Sequence, residues 1–253
     1  MTTMTETAFR LESGPSPATD PQIVRAQRQR EIVLGYRLLG SWGWGDDGAG
    51  HISGRDPERV DHFWLLRYGV AFKHARVEDL VLVAPDGSIA DEGANIGAQI
   101  NWAAYCIHAP IHDARPDVMC AIHTHTPYGT PFAANAAPLK MLSQESCAFF
   151  GRQGVFLGEE LDVLDPAIGV RLASALGAGR LLVLSNHGLL TVGDTVAEAV
   201  GFFVMAERSA EVNVKVPNGR VISEAGAAKV HESVGRPSSG WHTFEWCVRS
   251  RLV

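Results

Sequence analysis

The sequence predicts an α/β domain with a mixed sheet, and three observations carry that expectation. Short apolar runs of strand length alternate with longer stretches whose apolar residues recur at near-helical spacing. Gly, Pro, Asp and Asn cluster at the boundaries between them. Several links are too short for the helical crossover that neighbouring parallel strands need, so part of the sheet is expected to be antiparallel. At 253 residues the chain can bury a substantial core, and one catalytic-sized domain is expected over residues 21–216.

Residues 1–20 are rich in Thr, Ser, Pro and Glu and lack a basic stretch followed by an apolar one, so a disordered polar tail and a cytoplasmic location are expected. Residues 21–39 read as a helix: Asp20 can cap it, Pro21 suits its first turn, and Ile23, Val24, Ile32, Val33 and Leu38 share near-helical spacing. Residues 40–56, GSWGWGDDGAGHISGRD, hold six glycines in seventeen positions and read as a segment that lets backbone approach something closely. Residues 63–66 and 80–84 read as strands, the second turning at Pro85, Asp86 and Gly87. A helix is expected over 101–113, broken by Arg115, Pro116 and Asp117, and then a short strand over 119–123 that runs into Thr124 and His125. A further helix is expected after Pro127.

Asp165 and Pro166 look like the cap and first turn of a helix that runs to Leu176 and stops at Gly177 and Gly179. Residues 181–184 read as a strand ending in Ser185, Asn186, His187 and Gly188. Residues 195–214 are the strongest helix, with Ala197, Val200, Phe203, Val204 and Ala206 on a broad apolar face. Residues 217–253 are punctuated by Gly, Ser and Pro, and Trp241, Phe244 and Trp246 are expected to dock this extension on the domain or on a neighbouring subunit.

Composition removes several classes of function. A net charge of -6 and a pI near 5.9 provide no basic field for nucleic acid. No apolar run approaches the roughly 18 to 20 residues that span a bilayer. Cys106, Cys120, Cys147 and Cys247 are far apart and form no CxxC, so they are expected as reduced thiols rather than a zinc ribbon or a disulfide framework. A small-molecule partner is compatible with this composition.

The ten histidines matter by their placement. On a strand, residues i and i+2 project from one face about 6.5 Å apart, so His123 and His125 can reach one ion while Thr124 points away. His187 lies at the end of another expected strand, where the glycine after it allows a tight path. Three neutral imidazoles suit zinc, and also manganese, iron or cobalt, and leave a coordination position open. Either motif alone is commonly a surface or capping feature; the reading rests on their combination with the GHISGRD segment upstream.

The segments GAGHISGRD (48–56), ARPDVMCAIHTHTPYG (114–129) and LLVLSNHGLLTVGDTVAEA (181–199) together resemble the class II aldolase/adducin family over residues 25–215. The resemblance implies a single three-layer α/β/α domain with a central, largely antiparallel sheet. It also implies His123, His125 and His187 as metal ligands and a homo-oligomer, commonly a tetramer, with sites near subunit boundaries.

The sequence departs from that pattern in the acidic residue the aldolases and epimerases carry before the RPD turn: the matching position is Ala104. His108 and His112, spaced i, i+4 with Asp113 beside them, offer substitutes, His108 as a further ligand or a proton-transfer group; the alternative for both, weighing more for His112, is a ring that faces solvent or bonds to neighbouring backbone. Glu145 is a second candidate acid or base. The phosphate-binding aldolases usually present Asn where His51 stands; His51, Ser53 and Arg55 are nevertheless expected to bind an anionic group. Lys73 and Lys140 read as solvated lysines, and Glu207 as the partner of Arg208 or another neighbour. The expected activity is a metal-dependent carbon–carbon lyase, decarboxylase or aldolase in type, working through a metal-stabilised enolate on an oxygenated acid or aromatic carboxylate. An iron-dependent oxygenase on the same scaffold and a non-catalytic, adducin-like interaction module are its rivals.

Overall fold

The structure is a computed structural model that describes residues 20–45, 47–90 and 97–252. All but the last residue of the expected polar tail therefore lies outside the described residues. A seven-stranded sheet with order β3-β2-β1-β4-β7-β6-β5 forms the middle layer. Its strands are β1 (Gly50–Arg55), β2 (Phe63–Leu66), β3 (Leu80–Val83), β4 (Cys120–Thr124), β5 (Gln153–Phe156), β6 (Leu181–Leu184) and β7 (Gly188–Gly193). Every neighbouring pair is antiparallel except β5 with β6, so the sheet is mixed and largely antiparallel.

One face of the sheet is covered by α1 (Pro21–Ser41), α3 (Gly129–Ala133), α5 (Val196–Lys215), α6 (Glu224–Val234) and α7 (Pro237–Arg251); the other carries α2 (Trp102–Ala114) and α4 (Pro166–Leu176). Local chemistry sets the helix starts. Asp20 accepts from the Gln22 amide, Asn101 from Ala104, Asp165 from Ala167 and Thr195 from Glu198, each satisfying an amide the first turn leaves open. Pro110 lies inside α2 without ending it. Its missing amide leaves the Cys106 carbonyl without its helical partner, and α4 packs against that spot through Gly169, where a Cβ would lie 1.9 Å from the Cys106 oxygen.

The Gly-rich stretch contains a strand, β1, in the interior of the sheet beside the central β4. Ile52 and Gly54 of this strand face α1 and α5, and the absent side chain at Gly54 makes room for Ile32. β7 and β5 were likewise not expected from the sequence. Residues 217–253 are mostly helical: Ser223 caps α6, Gly235 follows it, and Pro237 opens α7, so the residues read as breakers stand at helix ends. α7 packs along α5, with Phe244 fully buried between them. Among the described residues no helix is long and apolar enough to cross a membrane, and all four cysteines are free and buried.

Candidate metal centre and its cavity

The site grows out of the pairing of β1 with β4. The two strands run antiparallel with His51 opposite His123 and Ser53 opposite Ala121. Because successive side chains alternate between faces, His51, Ser53 and Arg55 emerge together with His123 on the α2/α4 side. Ile52 and Ile122 enter the opposite core, and on that side the Thr124 hydroxyl donates to the Ala49 carbonyl at 2.7 Å.

His125 follows the last residue of β4, and His187 occupies the tip of the β6–β7 hairpin. The left-handed residue of that tip is Asn186, at φ 57°, and not the glycine to which the sequence assigned the tight path. Gly188 has another use. A Cβ there would lie 3.2 Å from His123 Cε1, so its absence lets the hairpin close over the ring.

One ring nitrogen from each of His123, His125 and His187 lies within 4.8 Å of the others. Their ring centroids are separated by 4.7 Å (His123 to His187), 5.0 Å (His125 to His187) and 5.4 Å (His123 to His125). The Nδ1 of His123 is 2.9 Å from the Leu189 carbonyl, which can only accept, so Nδ1 carries the proton and Nε2 keeps its lone pair. Burial, and then the His187 and His51 rings, hold the pKa of His123 well below 6.5. Burial, and then His125, bring His187 down to about 4. His123 and His187 are therefore in the neutral form that ligates cations, and the donor set fits a divalent ion.

The three rings line a cavity of about 500 Å³ together with His51, Asn101 and Trp102. A second cavity of about 300 Å³ shares His51, Tyr68 and Asn101 with it and runs back to Tyr36, Phe72 and Ala104. Ala104, where the family's acidic residue was expected, is thus part of an apolar wall.

The remaining expected residues divide. His51 stands beside the triad, its centroid 5.2 Å from that of His123. His108 does not line either cavity: it is fully buried behind His51, with Nε2 2.5 Å from His51 Nδ1 and its Nδ1 hydrogen-bonded to Ser53 Oγ. The direct ligand or proton-transfer role expected of His108 has no geometry here. His112 is buried, with Nδ1 3.3 Å from the Val118 carbonyl, the backbone bond that was one of its expected readings, and with Nε2 2.8 Å from Ser53 Oγ. Arg55 donates to the carbonyls of Val60, His112, Val118 and Arg115, at 2.5, 2.5, 3.1 and 3.2 Å, so its guanidinium holds backbone together rather than facing the cavity. Glu145 begins a short 3-10 turn (Glu145–Phe149) that packs against α5 and α6 on the opposite side of the sheet, so the structure does not bring it to the histidines of its own chain. Lys73 is exposed, and the Lys140 ammonium donates to the Pro217 carbonyl.

Glu207 pairs with neighbouring groups, as expected, and those groups belong to the loop after His125. The buried Glu207 carboxylate accepts from Thr126 Oγ1 (2.6 Å), Tyr128 N (2.9 Å) and Gly129 N (2.7 Å), and so ties the loop after His125 to α5. Burial raises its pKa. The signal in the sequence is weak: Glu207 follows the apolar run Val200–Ala206 directly, in a helix that also carries Glu198 and Glu211.

Known proteins agree with this architecture. Residues 30–214 match the family described as Class II Aldolase and Adducin N-terminal domain. Among relatives, Decarboxylase NovR of Streptomyces niveus is 35% identical over 87% of this chain and 82% of its own. The 4-hydroxy-3-prenylphenylpyruvate oxygenase/4-hydroxy-3-prenylbenzoate synthase of Streptomyces roseochromogenus subsp. oscitans is 34% identical over 87% and 80%. The solved structure of L-fuculose 1-phosphate aldolase from Glaciozyma antarctica PI12 superposes with a TM-score of 0.85 at 32% identity, covering 94% of this chain and 93% of that one. With this fold, this matched span and these relatives, the chain is a member of the class II aldolase/adducin family.

Proposed function

We propose that this protein is a divalent-metal-dependent lyase that cleaves a carbon–carbon bond, of decarboxylase or aldolase type, in an oxygenated acid or aromatic carboxylate. The observation that carries the reading is the convergence of His123, His125 and His187 on the wall of an open cavity. Zinc suits the three nitrogens best, with manganese, iron and cobalt also compatible. When bound, such an ion supplies Lewis acidity that stabilises negative charge developing beside the breaking bond. The chain's own residues do the rest. Leu189 fixes the orientation of His123 through its carbonyl, and Glu207 holds the loop that carries His125. Trp102, Tyr68, Phe72 and Ala104 offer apolar walls that keep water from a ring.

The cavity chemistry favours the aromatic acid over a sugar phosphate. Among the described residues that line the two cavities, Arg67 is the one Lys or Arg, and it donates to Asp79 at 3.1 and 2.9 Å. The names of the two Streptomyces relatives point the same way, one a decarboxylase and the other a synthase of a substituted benzoate. The second name also supports an alternative, an iron-dependent oxygenase, because three imidazoles with open positions hold ferrous iron as readily. The retained triad counts against a purely adducin-like interaction role, which places no demand on it. A homo-oligomer, tetrameric as in many family members, belongs to the same proposal and is read by sedimentation equilibrium.

Metal analysis of gently purified protein tests the core of the reading. The expected result is about one ion per chain, with a large loss in His123→Ala. Equal trace content in both proteins removes the proposal. Product analysis with iron-loaded protein in air and under argon then separates the two reactions, since only the oxygenase requires dioxygen.

A further inference from the structure

Behind the triad, four side chains form an unbroken hydrogen-bonded line whose direction is set at its far end. The Nδ1 of His112 lies 3.3 Å from the Val118 carbonyl, which can only accept, so Nδ1 carries the proton. His112 is buried beside the Arg55 guanidinium; burial and that charge bring its pKa down to about 3, so the ring is neutral and Nε2 is an acceptor. Ser53 must then donate its one hydroxyl proton to His112 Nε2, 2.8 Å away. Having spent that proton, Ser53 Oγ can only accept from His108, whose Nδ1 is therefore protonated. His108 is fully buried and neutral, so its Nε2 accepts in turn from His51 Nδ1 at 2.5 Å.

That sequence of obligations ends on His51. Its Nδ1 carries the proton and its Nε2 keeps the lone pair. No buried side-chain nitrogen or oxygen among the described residues lacks a hydrogen-bond partner, and among those residues the ring of His51 hydrogen-bonds through Nδ1 to His108 and lies against the rings of His108 and His123. Nε2 therefore opens to the space His51 lines, the two cavities that meet beside the triad.

We infer that Val118, His112, Ser53 and His108 form a tautomer lock that holds His51 as its Nδ1–H form and presents the Nε2 lone pair to the cavity, as the hydrogen-bond acceptor for a substrate hydroxyl. His51 is the group that touches substrate; Ser53, His108 and His112 are positioning residues that act through it. The substrate class so selected carries a hydroxyl donor within reach of the metal centre, since a neutral imidazole with this tautomer accepts and does not donate there. An ether or a bare carboxylate offers that nitrogen nothing. The ordinary preference of imidazole in water is for the other tautomer, so the lock is needed to keep the acceptor facing the cavity. The need for a hydroxylated substrate rests on the proposed lyase reading, whereas the tautomer belongs to the chain alone.

Nitrogen-15 spectra of histidine-labelled, zinc-loaded full-length protein, with His51 assigned by comparison with His51→Gln, test the lock directly. The wild type is expected to show His51 with a pyrrole-type Nδ1 and a pyridine-type Nε2, favoured by tenfold or more over the reverse, about one hydrogen bond's worth of bias. In Ser53→Ala the preference is expected to fall to within about threefold of unity while zinc content stays at the wild-type level. Ser53→Thr, which keeps the hydroxyl, restores it. A wild-type spectrum with the proton on His51 Nε2 overturns the inference without any variant, as does an unchanged preference in folded Ser53→Ala. Loss of zinc binding in the wild type strikes the metal reading and leaves the tautomer measurable in the zinc-free protein.

Discussion

The two faces of strand β4 put opposite demands on neighbouring residues. On one side Ile122 is fully buried in a core that α1 and α5 close, and it needs only volume and shape. On the other, His123 is equally buried but must have a partner for each ring nitrogen, and it has the Leu189 carbonyl on one side and a converging pair of imidazoles on the other. One face is held by area, the other by a network in which every group depends on the next. The polar face suits the proposed chemistry because there a buried group is kept in one protonation state and one direction.

Substitutions one residue apart should separate these demands. Ile122→Ala is expected to cost about 2–5 kcal/mol of folding stability, the usual price of a core cavity, while the folded fraction binds metal with wild-type affinity. His123→Ala should do the reverse, weakening metal binding by more than about a hundredfold with a smaller effect on zinc-free stability. Denaturation curves and competitive metal titration read both, and similar metal loss in the two variants would erase the contrast.

Glu207→Gln sharpens it at the next level. One of its three donors must lose its acceptor or face an amide, so a loss of about 1–3 kcal/mol is expected, with metal affinity reduced about tenfold through the loosened His125 loop. Retained affinity would show that this anchor is independent of the site.

The polar face should also be the acid-sensitive one. His112 titrates near 6.5 when unfolded and at about 3 when folded. Between those values the unfolded chain binds a proton that the folded chain refuses, so stability falls as pH drops from 6.5 toward 3 and is intact above that window. The slope is about 1.4 kcal/mol per pH unit for each such histidine at full separation. Urea titrations between pH 7 and 5 should show a shallower decline in His112→Gln than in the wild type. Smallest is Gly188→Ala, whose methyl would press on the His123 ring at 3.2 Å; about 1 kcal/mol of destabilisation is expected, with a several-fold loss of metal affinity and no change at Ile122→Ala levels of core damage.

The same contrast decides how much of the molecule is legible in its sequence. Features fixed by local chemistry can be read directly: the Asp165–Pro166 start and Gly177 stop of α4, the strand Leu181–Leu184, and the apolar face of α5. β1 was obscured because its glycines, which read as loop, answer to partners distant in sequence: Gly54 to Ile32 and Val196 of the helices across it, and Gly50 to Thr124 of β4. The helices α6 and α7 were obscured because their Ser, Gly and Pro residues are terminators of regular structure rather than signs of its absence. The triad could be proposed from spacing and resemblance. The order His112, Ser53, His108, His51 could not, since it exists only once β1 lies under α2, and neither could the commitment of Arg55 to four carbonyls.

The hairpin tip bearing His187 has a consequence for kinetics. Two of the three imidazoles ride on or beside a central strand, which opens only with the whole sheet, whereas the third sits on a reverse turn tethered by the Asn186 amide to the Ala133 carbonyl at 3.2 Å and by the His187 amide to Leu184. Local opening is easiest where few contacts must break. An ion held here would therefore exchange with solvent at the pace of that turn, and its residence time would be set by a few residues at the rim while its equilibrium affinity is set by the sheet.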